Sequence, residues 1–531
     1  MELKLNKQCD VFVIGAGLAG IRAAIEMTGC HVIVSSSTHI FSGSSFYPGT
    51  WGLGLIGPKD CQDNMSLINS IHHVGCHMCD KRLVDVFVND INDGINEIKN
   101  MGVKLKQATD QSQKEFIPCF DNKQRNWNGL LFDSLKDTFS KKLKDKEVEL
   151  LECHEVIDIV YDNKQVCGVI VCNQNNQLSY IGCKSIIIAS GGFGGIYKYR
   201  LNTLDINGIG QYLALKCGAS LVNIEFIQMM LGFTSPSPKT IYNEKMFKYT
   251  KFYKDNQQLF VSKDEQELLK IRSTYGPFTS RLPSKLIDIV LFKQFIKEHN
   301  SIIARHDASL KDTNIEFIQT YFDWLEKEKH ISIEDDIHLG IFYHAANGGI
   351  KIDENGSTGI KGMYACGEVT GGMHGADRIG GLSSANGLVF GKRVGKSVQD
   401  YISKANVCIK DKVLYEQRCI KDSKKHLNII QNLMSQYAMI VRNEEGLKYA
   451  LDNIQILENT FEYCDDGSYI DTTRLLAAFY LSKALLNAMI IRKESRGSHY
   501  REDYPIENKE FEYKINIYGL KNMKVDFDKG E

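Results

Sequence analysis

The chain lacks an excess of either charge. Its 64 Lys and Arg stand against 65 Asp and Glu, a formal net charge of −1 over 531 residues. Nucleic acid and anionic membrane surfaces are bound through clustered Lys and Arg, so neither is an expected partner. The N-terminal run MELKLNKQCDVFVIGAG has no charged leader, long apolar core or small-residue cleavage site before it enters a strand, so secretion is not expected. No stretch reads as the roughly 18 to 20 apolar residues of a membrane-spanning helix. Repeated cysteine spacing is missing too: 15 cysteines scattered over a chain of this size read as reduced thiols in a cytoplasmic compartment. The one close pair, Cys76 and Cys79, has neither a second pair for zinc nor a following histidine for covalent haem. It opens a segment with helical apolar spacing at Leu83, Val86, Phe87, Ile91 and Ile95, and reads as packed thiols. No metal site is expected.

What is present is bulk and glycine-rich punctuation. A chain that is 43% hydrophobic and 24% charged is globular, and its length exceeds one ordinary core, which points to two to four domains able to bury a large ligand. CDVFVIGAGLAGIRAAIEM sets an apolar strand, Val11 to Ile14, directly before Gly15, Gly17 and Gly20 and an Ala-rich helix. The three glycines play different parts. Gly15 permits the tight turn, Gly17 admits a pyrophosphate to the backbone, and Gly20 lets the helix pack closely. The helix N-terminus, at Leu18 and Ala19, offers N–H groups and a positive dipole end. The next strand should end in an acid that grips a ribose, but CHVIVSSSTHI ends in Ser35, Ser36 and Ser37, whose hydroxyls can still hydrogen-bond one.

Two later stretches repeat the strand-to-glycine pattern: CKSIIIASGGFGGIYKY, with Ala189, Ser190, Gly191 and Gly192, and YACGEVTGGMHGADRIGGLSSANGLVFGKRVGKSV. Three such elements can surround one extended cofactor. Glu368 is placed to accept from ribityl or ribose hydroxyls, and a helix beginning near Ser383 and Ser384 to aim its N-terminus at a ring carbonyl or phosphate.

With those residues in view the chain resembles the flavoprotein family of fumarate reductase, succinate dehydrogenase and L-aspartate oxidase. The resemblance is carried by GAGLAG at 15 to 20, SSFYPGTWG at 44 to 52, IIASGG at 187 to 192, NIEF at 223 to 226, HAANGG at 344 to 349, YACGEVTGGMHGADR at 364 to 378 and SRGSHYREDYP at 495 to 505. It implies an α/β fold: a Rossmann-like FAD-binding domain over 1–228 and 340–405, split by an α+β capping domain over 229–339, with a helical C-terminal domain over 406–531. LLAAFYLSKALLNAMIIRKESRG has the apolar periodicity of one of those helices. The polar run KDNQQLFVSKDEQELLK suits a lid with solvated faces.

The resemblance also implies roles. Ser44, Ser45 and Gly52 fall in the flavin-contacting stretch. Ser44 stands where dehydrogenase and reductase subunits carry a flavin-linked histidine, which implies non-covalent FAD. His344 and Arg378 fall where the family binds a substrate carboxylate. An Arg fork holds a carboxylate bidentately and a histidine adds a donor, while Gly348 and Gly349 let backbone approach. SRGSHYREDYP, with Glu494, Arg496, His499, Arg501 and Asp503, implies ion-paired scaffolding.

The departures bear on substrate. Met230 and Leu231 replace a histidine and proline, so one substrate-binding imidazole is missing and a deformable apolar side chain takes its place. Ile287 falls at the proton-donating arginine, leaving Arg281 as the best substitute and Lys285 as second, with a salt bridge as the competing role for Arg281. Trp127, in a loop resembling the substrate loop, suits a larger or less polar molecule, or simply packs.

The expected function is FAD-dependent hydride transfer between flavin N5 and a carboxylate-bearing substrate, reducing a C=C bond or the reverse, with Arg281, His344 and Arg378 at the site. L-aspartate oxidase of NAD synthesis is the alternative. A further one is a flavoprotein subunit that relays electrons to an iron-sulfur partner. No separate NAD site is visible, so an external electron donor or partner is implied.

Overall fold

A computed structural model describes residues 1–107, 121, 123, 125–162, 164–299, 301–307, 310 and 315–529. Its largest sheet explains why Val11, Phe12 and Val13 are wholly buried. Their strand, Glu2–Ile14, runs parallel between Val32–Ser35 and Leu178–Ile188, so both faces are covered. Glu149–Leu151 and Met363–Ala365 add further parallel strands, and the antiparallel strands Gln165–Asn173 and His154–Asp162 continue from the Leu178 strand.

Two helices lie across this sheet with their N-termini together, Leu18–Glu26 and Leu382–Ile402. A glycine every fourth residue brings them into contact. A Cβ on Gly391 or Gly395 would stand 2.7 Å from the carbonyl oxygen of Ala19 or Ala23. Such spacing lines one helix face with bare backbone and lets the partner approach closely.

The segment between the two halves of this unit forms an antiparallel sheet in the order Ile227–Ser235, Ile337–Ala346, Ile302–His306, Thr250–Lys254, Gln257–Gln258. Helices Lys263–Arg272, Lys285–Phe292 and Glu316–Lys329 accompany it. The polar run predicted as a solvated lid starts its helix with a capping box between Ser262 and Glu265.

Toward the C-terminus, Ser423–Tyr437, Glu444–Glu458 and Tyr469–Ile491 pack as helices. The region is not helical throughout: Lys514–Tyr518 pairs with Leu221–Val222, and Lys412–Leu414 pairs with Glu2–Lys4. The expectation that no stretch is long and apolar enough to cross a membrane is corrected by Tyr469–Ile491, which meets both criteria. That helix spends its apolar surface on the interior, with 67% of its most apolar window buried. Arg496 and Arg501 pair with Glu494 and Asp503 at 2.7 Å, and Arg492 pairs with Glu225 and Glu494 at 2.8 and 2.9 Å; all three arginines are fully buried, where the resemblance implied a segment near the surface. Cys76 and Cys79 sit in the turn before Lys81–Met101, both buried.

Candidate active site

The first cavity lies over the paired helix N-termini. Gly15 has φ +112°, and a Cβ there would lie 2.4 Å from the Ala189 carbonyl oxygen. A Cβ on Gly20 would fall 2.0 Å from the Gly15 carbonyl oxygen, so Gly20 serves helix packing and does not face the cavity. Gly17 differs: its nearest neighbour would be the Ser42 carbonyl oxygen at 3.8 Å, leaving backbone open to a ligand. Leu18, Ala19, Ser35, Ser36, Ser37, Ser44, Ser45, Ala189, Ser190, Gly191, Glu368, Ser383 and Ser384 line the same cavity.

Local bonding shows what each can offer. Ser35 Oγ donates to the Val13 carbonyl (3.2 Å) and Ser36 Oγ to that of His39 (2.9 Å), so their oxygens remain acceptors for ribose hydroxyls. Ser190 Oγ is buried without a partner among the described residues. Gly192 departs from expectation. It lines neither cavity, and a Cβ there would stand 2.5 Å from Glu368 Oε1, so its bareness makes room for that carboxylate. Burial raises the Glu368 pKa, opposed by the Ala346 N–H (3.1 Å) and by Arg378. Strand, open glycine, two helix N-termini and orphaned hydroxyls fit an extended dinucleotide.

A second cavity of about 330 Å³ shares Ser44, Leu53, Glu368, Ser383 and Ser384 with the first and continues to His344 and Arg378. Gly52 lines it, as does Asn386, whose Oδ1 is buried without a partner among the described residues. His344 arrives there by a β-bulge. Gln228 opposes Ala345 while Met229 opposes Tyr343, so His344 is the extra residue. A bulge re-aims one side chain without breaking the sheet. His344 is pushed down to about 3, by burial first and by the Arg378 charge second, and is neutral near pH 7. Its Nδ1 is buried with no hydrogen-bond partner among the described residues.

Arg378 is 9% exposed and donates from Nε (3.1 Å) and Nη2 (2.7 Å) to Oε1 of Gln228. Among the described residues no carboxylate forms an ion pair with it. Burial lowers its pKa and Glu368 acts in the other direction; a guanidinium keeps its proton regardless. A desolvated cation faced by a neutral amide is short of one anion.

Arg281 and Lys285 are not brought to this place. Arg281 donates to Asp377 Oδ2 (2.9 Å), which also accepts from Thr279 (2.5 Å), and lines neither cavity. Of the two roles expected for Arg281, substitute proton donor or salt bridge, the structure displays the ion pair, with the buried Asp377 that precedes Arg378 in sequence. Lys285 Nζ lies 5.6 Å from the Tyr500 ring centre, again outside both cavities. Ile287 is buried in its helix. Met230 and Trp127 do line the second cavity, but Trp127 is on a strand, Asn126–Leu130, rather than in a loop.

Three lining or supporting residues are not singled out by sequence reasoning. His374 lines the cavity, its pKa held well below the ordinary value by burial and then by Arg378. Glu244 lines it from the inserted segment. Gln228 supports Arg378, and its signal is a lone amide in the apolar strand IEFIQMML.

Comparison with known proteins identifies the family. A model of the FAD binding domain matches residues 10–241 and 292–384, and one of the fumarate reductase flavoprotein C-terminus matches 428–528. The L-aspartate oxidase of Saccharolobus solfataricus is 25% identical, over 96% of this chain and 98% of that protein. One subunit of the CoM/CoB fumarate reductase of Methanothermobacter marburgensis is 26% identical, over 99% of both. A solved E. coli quinol fumarate reductase chain superposes with a TM-score of 0.80 at 20% identity, covering 99% of this chain and 97% of that one. The chain is an FAD-dependent oxidoreductase and belongs to the fumarate reductase, succinate dehydrogenase and L-aspartate oxidase flavoprotein family.

Proposed function

We propose that the enzyme moves a hydride between FAD and a carbon of a carboxylate-bearing substrate, reducing a C=C bond or running the reverse. FAD, when bound, supplies the two-electron chemistry. The carrying observation is Arg378, buried at the cavity and opposed by the neutral Gln228 instead of an acid. A substrate carboxylate completes that site, accepting from the guanidinium and from a neutral His344, and is thereby oriented and polarised. In reduction a hydride adds to one carbon of the double bond and a proton to its neighbour. Ser44, at the position of the family's flavin-linked histidine, supports non-covalent retention of FAD. Gly17, Ser35, Ser36, Ser190, Glu368, Ser383 and Ser384 would hold it. With no separate NAD site among these cavities, we propose an external electron carrier as the donor.

The test is anaerobic. The flavin is reduced with dithionite and its reoxidation followed with fumarate and with unsaturated monocarboxylates. Reoxidation by a carboxylate, abolished in Arg378→Ala, is expected; failure of every carboxylate overturns the reading. The second reading, oxidation of an amino acid at CH–NH, is favoured by Glu244, an acid able to hold an ammonium group in the same cavity. It predicts that L-aspartate reduces the oxidised flavin.

A further inference from the structure

We propose that the substrate carries one carboxylate only, and that the rest of it is an apolar body of aromatic-ring size seated against Trp127. An α,β-unsaturated monocarboxylate with an aryl or branched alkyl end, or its saturated counterpart, has this chemistry. The inference rests on the carboxylate reading of Arg378.

The cavity wall is built around the indole. Gly54 and Gly129 are register partners on neighbouring strands. A Cβ on Gly54 would lie 3.1 Å from Trp127 Nε1, and one on Gly129 would lie 3.0 Å from the far edge of the same ring. Glycine weakens a strand and is kept where something must come close to its backbone. Here the indole comes close to both bare positions and remains part of the cavity lining.

A second part of the lining is apolar as well. Tyr47, Leu201 and Ile241 form a buried apolar cluster with Met230 packed on it, and all four line the cavity. Met230 offers no N–H or O–H to an anion. Against this wall a second carboxylate leaving water needs paired donors and, among the described residues of the cluster, meets the Met230 thioether and the aliphatic carbon of Leu201 and Ile241, while the Tyr47 hydroxyl is given to the Lys239 carbonyl (2.6 Å). Glu244, in the same lining, adds acidic character that disfavours a second anion. The other cationic lining residue, Lys106, lies half-buried on the short strand opposite Gly129. It is the cation against which the far carboxylate of a diacid is tested below.

Flavin-loaded enzyme is titrated with hydrocinnamate, butanoate and succinate, reading the flavin absorbance shift and heat of binding. Hydrocinnamate is expected to bind at least about tenfold more tightly than succinate. Trp127→Ala should weaken hydrocinnamate by about tenfold while changing butanoate by less than about threefold. Met230→His should narrow the gap by strengthening succinate, and it decides the matter if the tryptophan variant does not fold. Succinate binding as tightly as hydrocinnamate, or a Lys106→Met variant that loses succinate alone, overturns the single-carboxylate proposal and leaves the Arg378 reading intact. A wild-type protein whose flavin responds to no carboxylate overturns both.

Discussion

Arg378 donates from two of its nitrogens to one acceptor, Oε1 of Gln228, at 3.1 and 2.7 Å. The amide orients the guanidinium without neutralising it, which keeps the charge available. Truncating the buried charge partner of an anion costs about 2 to 5 kcal/mol, so Arg378→Ala should weaken carboxylate binding by roughly 30-fold or more. Gln228→Leu removes the orienting acceptor and keeps the charge; a loss of about tenfold is expected, on the order of one hydrogen bond to a charged group. Calorimetric titration of both variants measures it. Equal losses would argue that Gln228 does more than orient.

Gly15 and Gly17 should respond oppositely to a single methyl group. Gly15→Ala drives a Cβ to 2.4 Å from the Ala189 carbonyl oxygen at a positive φ, so the apoprotein should lose stability and flavin together. Gly17→Ala meets nothing closer than 3.8 Å within the protein. Its apoprotein should melt like wild type while FAD affinity falls by about tenfold or more, because the methyl group occupies ligand space. Melting curves with and without FAD separate the two.

Precipitation in acid should release all of the flavin into the supernatant, since Ser44 provides no imidazole for a covalent link. Yellow colour retained in the washed pellet would contradict this.

Stability should fall as pH drops below the ordinary histidine value. The unfolded chain binds a proton at residue 344 near pH 6.5, whereas the folded protein refuses it until about 3, owing to burial and then Arg378. Between those values the unfolded state holds the extra proton, so each pH unit removes up to about 1.4 kcal/mol at this site. His306, pushed down to about 4 by burial, adds to the slope over its own narrower window. His344→Asn should therefore flatten the fall in melting temperature between about pH 7 and about pH 5. Parallel curves for the variant and wild type would show that His344 does not carry it.

The ion pair between Arg281 and Asp377 should behave as scaffolding. Arg281→Met leaves a buried carboxylate uncompensated and should cost about 3 to 5 kcal/mol, most of it recovered by adding Asp377→Asn. A double variant that is stable but inactive with carboxylate binding retained would restore Arg281 to a proton-transfer role.

The glycine signatures and the strand–turn–helix order are legible in the sequence because they depend on neighbours in the chain. His344 and Arg378 are paired by the family resemblance rather than by their neighbours in the chain, and both line the second cavity. The bulge that aims His344 is not legible, because register is a relation between two strands and Met229 gives no sign that it opposes Tyr343. Arg281 stays open between two roles in the sequence for a similar reason: its ion-pair partner lies 96 residues away. Trp127 is placed in a loop by the resemblance, and pairing with Leu53–Gly57 on one side and Leu105–Lys106 on the other makes it strand.

Glu225 stands three residues before Gln228, and its counter-charge, Arg492, comes 267 residues later in the chain. The strand Lys514–Tyr518 then closes on Leu221–Val222 just ahead of that glutamate. During synthesis, therefore, the stretch that seats Arg378 must wait with an uncompensated acid until Arg492 has left the ribosome. Nascent chains halted before the last helix should be clients of chaperones, and cofactor capture a late event in the life of the molecule.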